Sequence, residues 1–289
     1  MMNLRLIDFI VKGPNPHMVG DGFRVSQYLP GVDLEKRMSP FLMLDYHAPY
    51  RYEPSSLPKG VGAHPHRGFE TVTIAYQGSI EHHDNQGNHG IIHAGDVQWM
   101  SAASGVLHKE YHEKEFSQNG GVLHMIQLWV NLPASMKMNK PKYQALLKKD
   151  MGYIDLKENG SIQIIAGQVD GISGPASTAT PINMYNVHMN KGSRIVLNEP
   201  SHFNTGLLVV KGNITIQGQN IDDGDLVIMQ NNEGQIIIES QEEAIVFVMS
   251  GEPIHEPIVF HGPFVMNSEE EIRQAYKDYY DGYFGNLDF

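Results

Sequence analysis

The sequence predicts an all-β chain folded as two β-barrels in tandem, followed by a short C-terminal helix. Three observations predict this. Short runs that alternate apolar with polar residues, or are rich in β-branched residues, recur along most of the chain, with Gly, Asn and Asp turns between them. A weak internal repeat relates the two halves. The length of 289 residues exceeds one average domain, and 41% hydrophobic against 19% charged residues supplies apolar surface for more than one core.

The elements follow in order. The segment from Leu4 to Lys12 is too short and too charged for a signal peptide and reads as a first strand, open to either barrel. Strands are expected at Thr71–Tyr76, Gly90–His93, Val97–Met100 and Leu123–Val130. A second series is expected at Gly206–Val210, Asn213–Gln217, Asp225–Met229, Gln235–Glu239 and Ala244–Met249. Between the series, Pro141 to Asp150 reads as a linker with a short helix that places Ala145, Leu146 and Leu147 on one side. Ser268-Glu-Glu-Glu271 has the capping-box pattern, with acids in the first turn, and opens a helix running to about Tyr280.

The repeat lies in Gly78-Ser-Ile…Gly95-Asp96-Val97 and Gly212-Asn-Ile…Gly224-Asp225-Leu226. The offset is 134 residues at the first glycine and 129 at the second, so the first hairpin is five residues longer. A repeat this long implies a duplicated barrel rather than a solenoid, whose unit is roughly 20–50 residues. The expected organisation is a metal-binding barrel over residues 1–133, a linker over 134–149, a barrel without metal over 150–250, and a tail and helix over 251–289 that return to the first barrel.

Composition narrows the chemistry. A net charge of −12 opposes direct binding to nucleic-acid phosphates. The absence of cysteine removes disulfides, thiolate metal sites and cysteine nucleophiles. With no apolar run near the roughly 20 residues that span a bilayer, no membrane association and a cytoplasmic location are expected. Phosphate-loop, Gly-x-Ser-x-Gly and His-Glu-x-x-His patterns are missing.

Histidine is the unusual residue. Nine of fifteen lie between His64 and His124, where even scattering would place about three. Within Gly62-Ala-His64-Pro-His66, positions i and i+2 of a strand share a face, so both imidazoles can reach one ion. His108 and Glu110 share a face in the same way. Three histidines and one carboxylate suit Fe(II), Mn, Ni, Cu(II) or Zn with coordination positions left open. His82 and His83 are adjacent and face opposite ways, and His89 and His93 flank a turn. His112 continues the His108 and Glu110 face as a candidate support for the ligands. Arg67 and Lys109 are expected to point outward into surface pairs. The second copy has no His-x-His, and His188 and His202 stand alone, so one metal per chain is expected.

The segments 64–73 (HPHRGFETVT), 93–112 (HAGDVQWMSAASGVLHKEYH), 127–133 (QLWVNLP) and 251–267 (GEPIHEPIVFHGPFVMN) resemble the pirin family of bicupins, with the fold of two jelly-roll cupin barrels. General cupins share neither the Gly-Asp-Val-Gln-Trp-Met run nor the Gly-Pro-Phe-Val-Met-Asn run. The resemblance implies one divalent metal, with iron(II) the first choice, held by His64, His66, His108 and Glu110. General cupins commonly take their carboxylate from the position of Glu70, which here becomes a candidate supporting residue. The resemblance implies a quercetin 2,3-dioxygenase-type oxidoreductase that opens a flavonol ring with O2 and releases CO, with Glu110 also a catalytic base. Phe41, Met43, Phe69, Trp99, Met100 and Met125 are candidates to line the slot for the flat substrate. The alternatives are a non-catalytic iron-binding redox sensor acting through a protein partner, and another cupin reaction such as a zinc isomerase or hydrolase.

Overall fold

A computed structural model describes residues 3–30 and 34–287. Its strands form two units of like topology. In one, a seven-stranded sheet runs in the order Lys142–Leu146, Val97–Ser101, Phe69–Gln77, Gly121–Asn131, Phe41–Tyr52, Phe23–Leu29 and His17–Val19. A four-stranded sheet of this unit runs Gly60–His66, Val106–His112, Ser79–Asp84, His89–His93. In the other, the seven-stranded order is Ile7–Val11, Leu226–Met229, Asn204–Lys211, Ala244–Gly251, Ile182–Met189, Gly160–Ala166 and Gly152–Asp155. Its four-stranded sheet runs Arg194–Leu197, Ile236–Glu239, Ile214–Ile216, Gln219–Ile221. The two orders correspond strand for strand, which makes the chain a tandem of cupin barrels.

The duplication extends to single hydrogen bonds. Gly95 N donates to Ala75 O at 2.7 Å, and Gly224 N to Val209 O at 2.8 Å. Asp96 N donates to His93 O as Asp225 N does to Asp222 O, and each Asp Oδ2 accepts from the amide of that same residue, His93 or Asp222. Both glycines have positive φ, 95° and 80°, which a side chain would oppose. The Gly-Asp pair therefore recurs because one turn geometry is built twice.

One open choice is settled and one expectation is corrected. Ile7–Val11 does not join the first barrel, since it pairs with Leu226–Met229 at the edge of the second seven-stranded sheet. The segment expected as a linker helix is a strand, Lys142–Leu146, paired with Val97–Ser101. An open sheet edge exposes a row of N–H and C=O groups, and pairing with that edge outweighs the modest helix preference of Ala145 and Leu146.

The C-terminal segment 254–287 belongs to the unit that carries the histidines. Its helix, Glu269–Tyr280, starts at the predicted cap: Ser268 Oγ accepts from Glu271 N at 3.2 Å, and the Glu271 carboxylate accepts from Asn267 N at 2.8 Å. Ile272 and Ala275 bury against Phe264, Met266 and Phe284. Gly68, at φ 90°, lets this segment pass, because a Cβ there would lie 1.9 Å from Val265 O.

Arg67 is not a surface residue. It is 4% exposed; Nε donates to Ser104 O at 2.7 Å, Nη1 pairs with Asp278 at 2.7 Å, and the guanidinium stacks over Phe284. A short helix missed in the sequence, Lys114–Asn119, is capped by the Glu113 carboxylate accepting from the amides of Glu115 and Phe116.

Candidate metal centre

His64 and His66 stand on Gly60–His66, and His108 and Glu110 on Val106–His112. These strands pair antiparallel with His108 opposite His64, so the i, i+2 spacing on each strand brings the imidazoles together. Ring centroids are 4.8 Å apart for His64–His66, 4.3 Å for His64–His108 and 4.8 Å for His66–His108. Their ligand atoms fall within 4.8 Å of one another.

Each ring is fixed by its other nitrogen. Nδ1 of His64 faces Gly62 O at 2.8 Å and Nδ1 of His66 faces Pro263 O at 3.3 Å, which leaves Nε2 of both as the lone-pair nitrogen. His108 is wholly buried and its Nε2 has no hydrogen-bond partner. Burial, reinforced by the neighbouring histidines, pushes the His66 and His108 pKa values well down, so both are neutral. Three imidazoles with converging nitrogens, one of them orphaned in the interior, fit a divalent cation.

Glu110 lies among the same strands but belongs to a second group, with His82 and His108. Thr73 Oγ1 lies 3.2 Å from Glu110 Oε1 and 2.6 Å from Gln127 Oε1, sharing one proton between them. His82, set aside in the sequence because it adjoins His83, is fully buried on the inner face. Its Nδ1 lies 3.1 Å from Gln98 Nε2 and 3.4 Å from His108 Nδ1, and its Nε2 lies 3.5 Å from Asp84 Oδ2. Only the register, Glu110 opposite His82 and His108 opposite Asp84, discloses this contact. His82→Ala is expected to weaken metal binding by roughly 10–100-fold without abolishing it, as for other residues that orient a ligand. Competition with a chromophoric chelator measures it, and an unchanged affinity would show that His82 only packs.

The other predicted supports lie elsewhere. His112 Nε2 is tied to Gly22 O at 2.7 Å, and its ring packs on Phe23, Tyr52 and Phe116. Glu70 is one residue out of phase with Phe69, Thr71 and Thr73, so it points to the opposite face of its strand. There burial raises its carboxyl to about 7, and Ser101 hydrogen-bonds to it. A third group, Glu81, His83 and His89, is more exposed; His83 is tied to Tyr111 and His89 to Glu81.

His64, His66 and Glu110 line a cavity of about 300 Å³, near the lower end of small-molecule sites. Of the six predicted lining residues, Met43 and Met125 are there. Phe69 instead stacks on Trp129 and touches His66 from behind, while Phe41, Trp99 and Met100 are core. Trp129, Phe23, Val25, Ile80, Val19 and Val61 complete the apolar wall, and Gln27, Asp45 and Gln127 add polar groups. Alternation on Gly121–Asn131 puts Met125, Gln127 and Trp129 on one face, the signal from which Trp129 was open to prediction.

The equivalent strands of the other barrel carry Ile195, Leu197, Ile236 and Ile238, all in its hydrophobic core. That interior is filled with aliphatic side chains where the first has imidazoles.

A model of the Pirin family matches residues 22–130, and one of the pirin C-terminal cupin domain matches 184–285. A Pseudomonas aeruginosa protein named "Putative quercetin 2,3-dioxygenase" is 44% identical over 271 residues, 93% of this chain and 95% of that protein. The chain belongs to the pirin family. Pirin-1 of Arabidopsis thaliana is 36% identical to this pirin-family chain over 274 residues, 90% of it and 88% of the relative. The crystal structure of a quercetin 2,3-dioxygenase from Acinetobacter baumannii matches with a TM-score of 0.95 at 40% identity, covering 99% of this chain and 100% of that one. Family and histidine cluster together support a divalent metal in this pirin-family barrel. No helix among the described residues is long and apolar enough to cross a membrane.

Proposed function

We propose that this protein is a metal-dependent dioxygenase of flavonol-like substrates, of the quercetin 2,3-dioxygenase type, with iron(II) held by His64, His66, His108 and Glu110. The observation that carries the reading is the orphaned Nε2 of His108 within a cluster of three histidines beside a largely apolar cavity. Relatives named quercetin 2,3-dioxygenase supply the substrate class. A divalent redox metal in this position supplies Lewis acidity toward a flavonol oxygen and reactivity toward O2.

The chain's own residues do the rest. Trp129, Phe23, Met43 and Met125 hold flat rings and exclude water. Thr73 occupies Oε1 of Glu110, leaving Oε2 to take the proton of the flavonol 3-hydroxyl.

The test is oxygen uptake and carbon monoxide release from quercetin by the iron-loaded protein. Both are expected in air, and both should be lost in Glu110→Ala. Turnover that continues without oxygen would replace this reading with a non-oxidative cupin reaction. No turnover with any loaded divalent metal would overturn it.

A further inference from the structure

The seven-stranded sheet of the metal-carrying barrel contains an unbroken polar row. Gln27 pairs with Asp45, Asp45 with Gln127, Gln127 with Thr73, and Thr73 with Gln98. These are adjacent register positions, so their side chains share one face. The two residues at one end of this row are explained by the metal centre: Thr73 holds Glu110, and Gln98 holds His82. Asp45 is not. It is 6% exposed, its Oδ1 has no hydrogen-bond partner, and it lines the same cavity as His64, His66 and Glu110. Its neighbours along the strand, Met43 and Leu44, are apolar and buried.

A buried carboxyl with an open oxygen costs free energy that any of several apolar residues would avoid. Gln27 hydrogen-bonds to Asp45 and does not complete it. The histidines stand on the four-stranded sheet and Asp45 on the seven-stranded one, so a molecule in the cavity meets the metal ligands from one wall and Asp45 from the other. Burial raises the carboxyl to about 7, so near neutrality it can either donate or accept.

We propose that Asp45, positioned by Gln27, reads a phenolic hydroxyl of the substrate, and so selects polyhydroxylated flat aromatics over equally flat ones without that group. The proposal rests on the flavonol reading of the site and adds the residue that discriminates within the class. A site built to hydrogen-bond a hydroxyl rejects the analogue lacking it, because its own polar group is then left unpaired.

The probes are quercetin, hydroxylated on both outer ring systems, and 3-hydroxyflavone, which keeps only the 3-hydroxyl. Binding is followed by quenching of the tryptophan fluorescence, to which Trp129 in the cavity wall contributes, with and without iron, and turnover is measured in parallel. The wild type should bind quercetin about 10–100-fold more tightly than 3-hydroxyflavone. Asp45→Ala should erase that preference by weakening quercetin alone, with 3-hydroxyflavone binding and metal content unchanged. Asp45→Asn, which still offers an oxygen and a donor, should restore most of it. Equal weakening of both ligands, unaltered quercetin binding, or a wild type that does not discriminate would each overturn the proposal. Binding with this pattern but without oxygen uptake would defeat the dioxygenase reading and leave Asp45 its role, whereas no flavonol binding at all would defeat both.

Discussion

Replacing His108 by alanine is expected to lower metal affinity by more than about 100-fold, beyond the effect of residues that merely orient a ligand, and to abolish oxygen uptake with quercetin. His108 has the central place in the cluster: its ring is within 5 Å of both His64 and His66, and it alone is shared with the group containing Glu110 and His82. Elemental analysis should find close to one ion per wild-type chain and almost none in the variant. His202→Ala, in the barrel whose interior is aliphatic, serves as the control and should keep its metal. The double variant His83→Ala/His89→Ala should keep it as well. A wild-type stoichiometry near two, or retention by His108→Ala, would displace the assignment of the centre.

Lys137→Met should produce the largest loss of stability. Lys137 is 1% exposed, and its Nζ donates to Gly68 O at 2.6 Å, Asn131 Oδ1 at 2.6 Å and Val265 O at 2.9 Å. As an ammonium its three protons meet three oxygens, and those oxygens lie in the loop after His66, the end of Gly121–Asn131 and the C-terminal segment. Methionine fills the volume but strands the acceptors. The cost is roughly 3 kcal/mol or more, on the order of 6–12 °C in the melting temperature for a unit of this size.

The sign of the pH dependence provides a second check. Burial pushes the Lys137 pKa down to about 7, below its ordinary 10.5. The unfolded chain therefore binds this proton more tightly, and the lysine's contribution to stability rises with pH between about 7 and 10. Urea titrations at pH 7.5 and 9.5 should show that rise in the wild type and not in Lys137→Met. Equal midpoints for the two proteins at both pH values would show that the three hydrogen bonds add nothing net.

Local periodicity made much of this molecule legible. His-x-His and His-x-Glu spacing identified two strand faces because strand geometry is set by adjacent residues alone. The Ser268 cap and the Gly-Asp turns were readable for the same reason, since each is complete within four residues. Met43 and Met125 line the cavity, whereas Phe41, Trp99 and Met100, of similar chemistry, are core, because residue type does not say which side of a sheet faces the cavity.

What the sequence by itself determined was the all-β class, the duplication, the family resemblance and the pairs His64/His66 and His108/Glu110. Only the tertiary structure decided which strand closes which sheet. Ile7–Val11 and Lys142–Leu146 are edge strands whose partners lie far away in the chain, and an edge's unpaired N–H and C=O groups are satisfied by whichever strand the fold brings to them. It also decided that His82 supports His108, that Arg67 is buried against the C-terminal segment, and that Asp45 lines the cavity with an open oxygen. Each depends on cross-strand register or burial, which are relations between residues distant in sequence, and no local pattern encodes them.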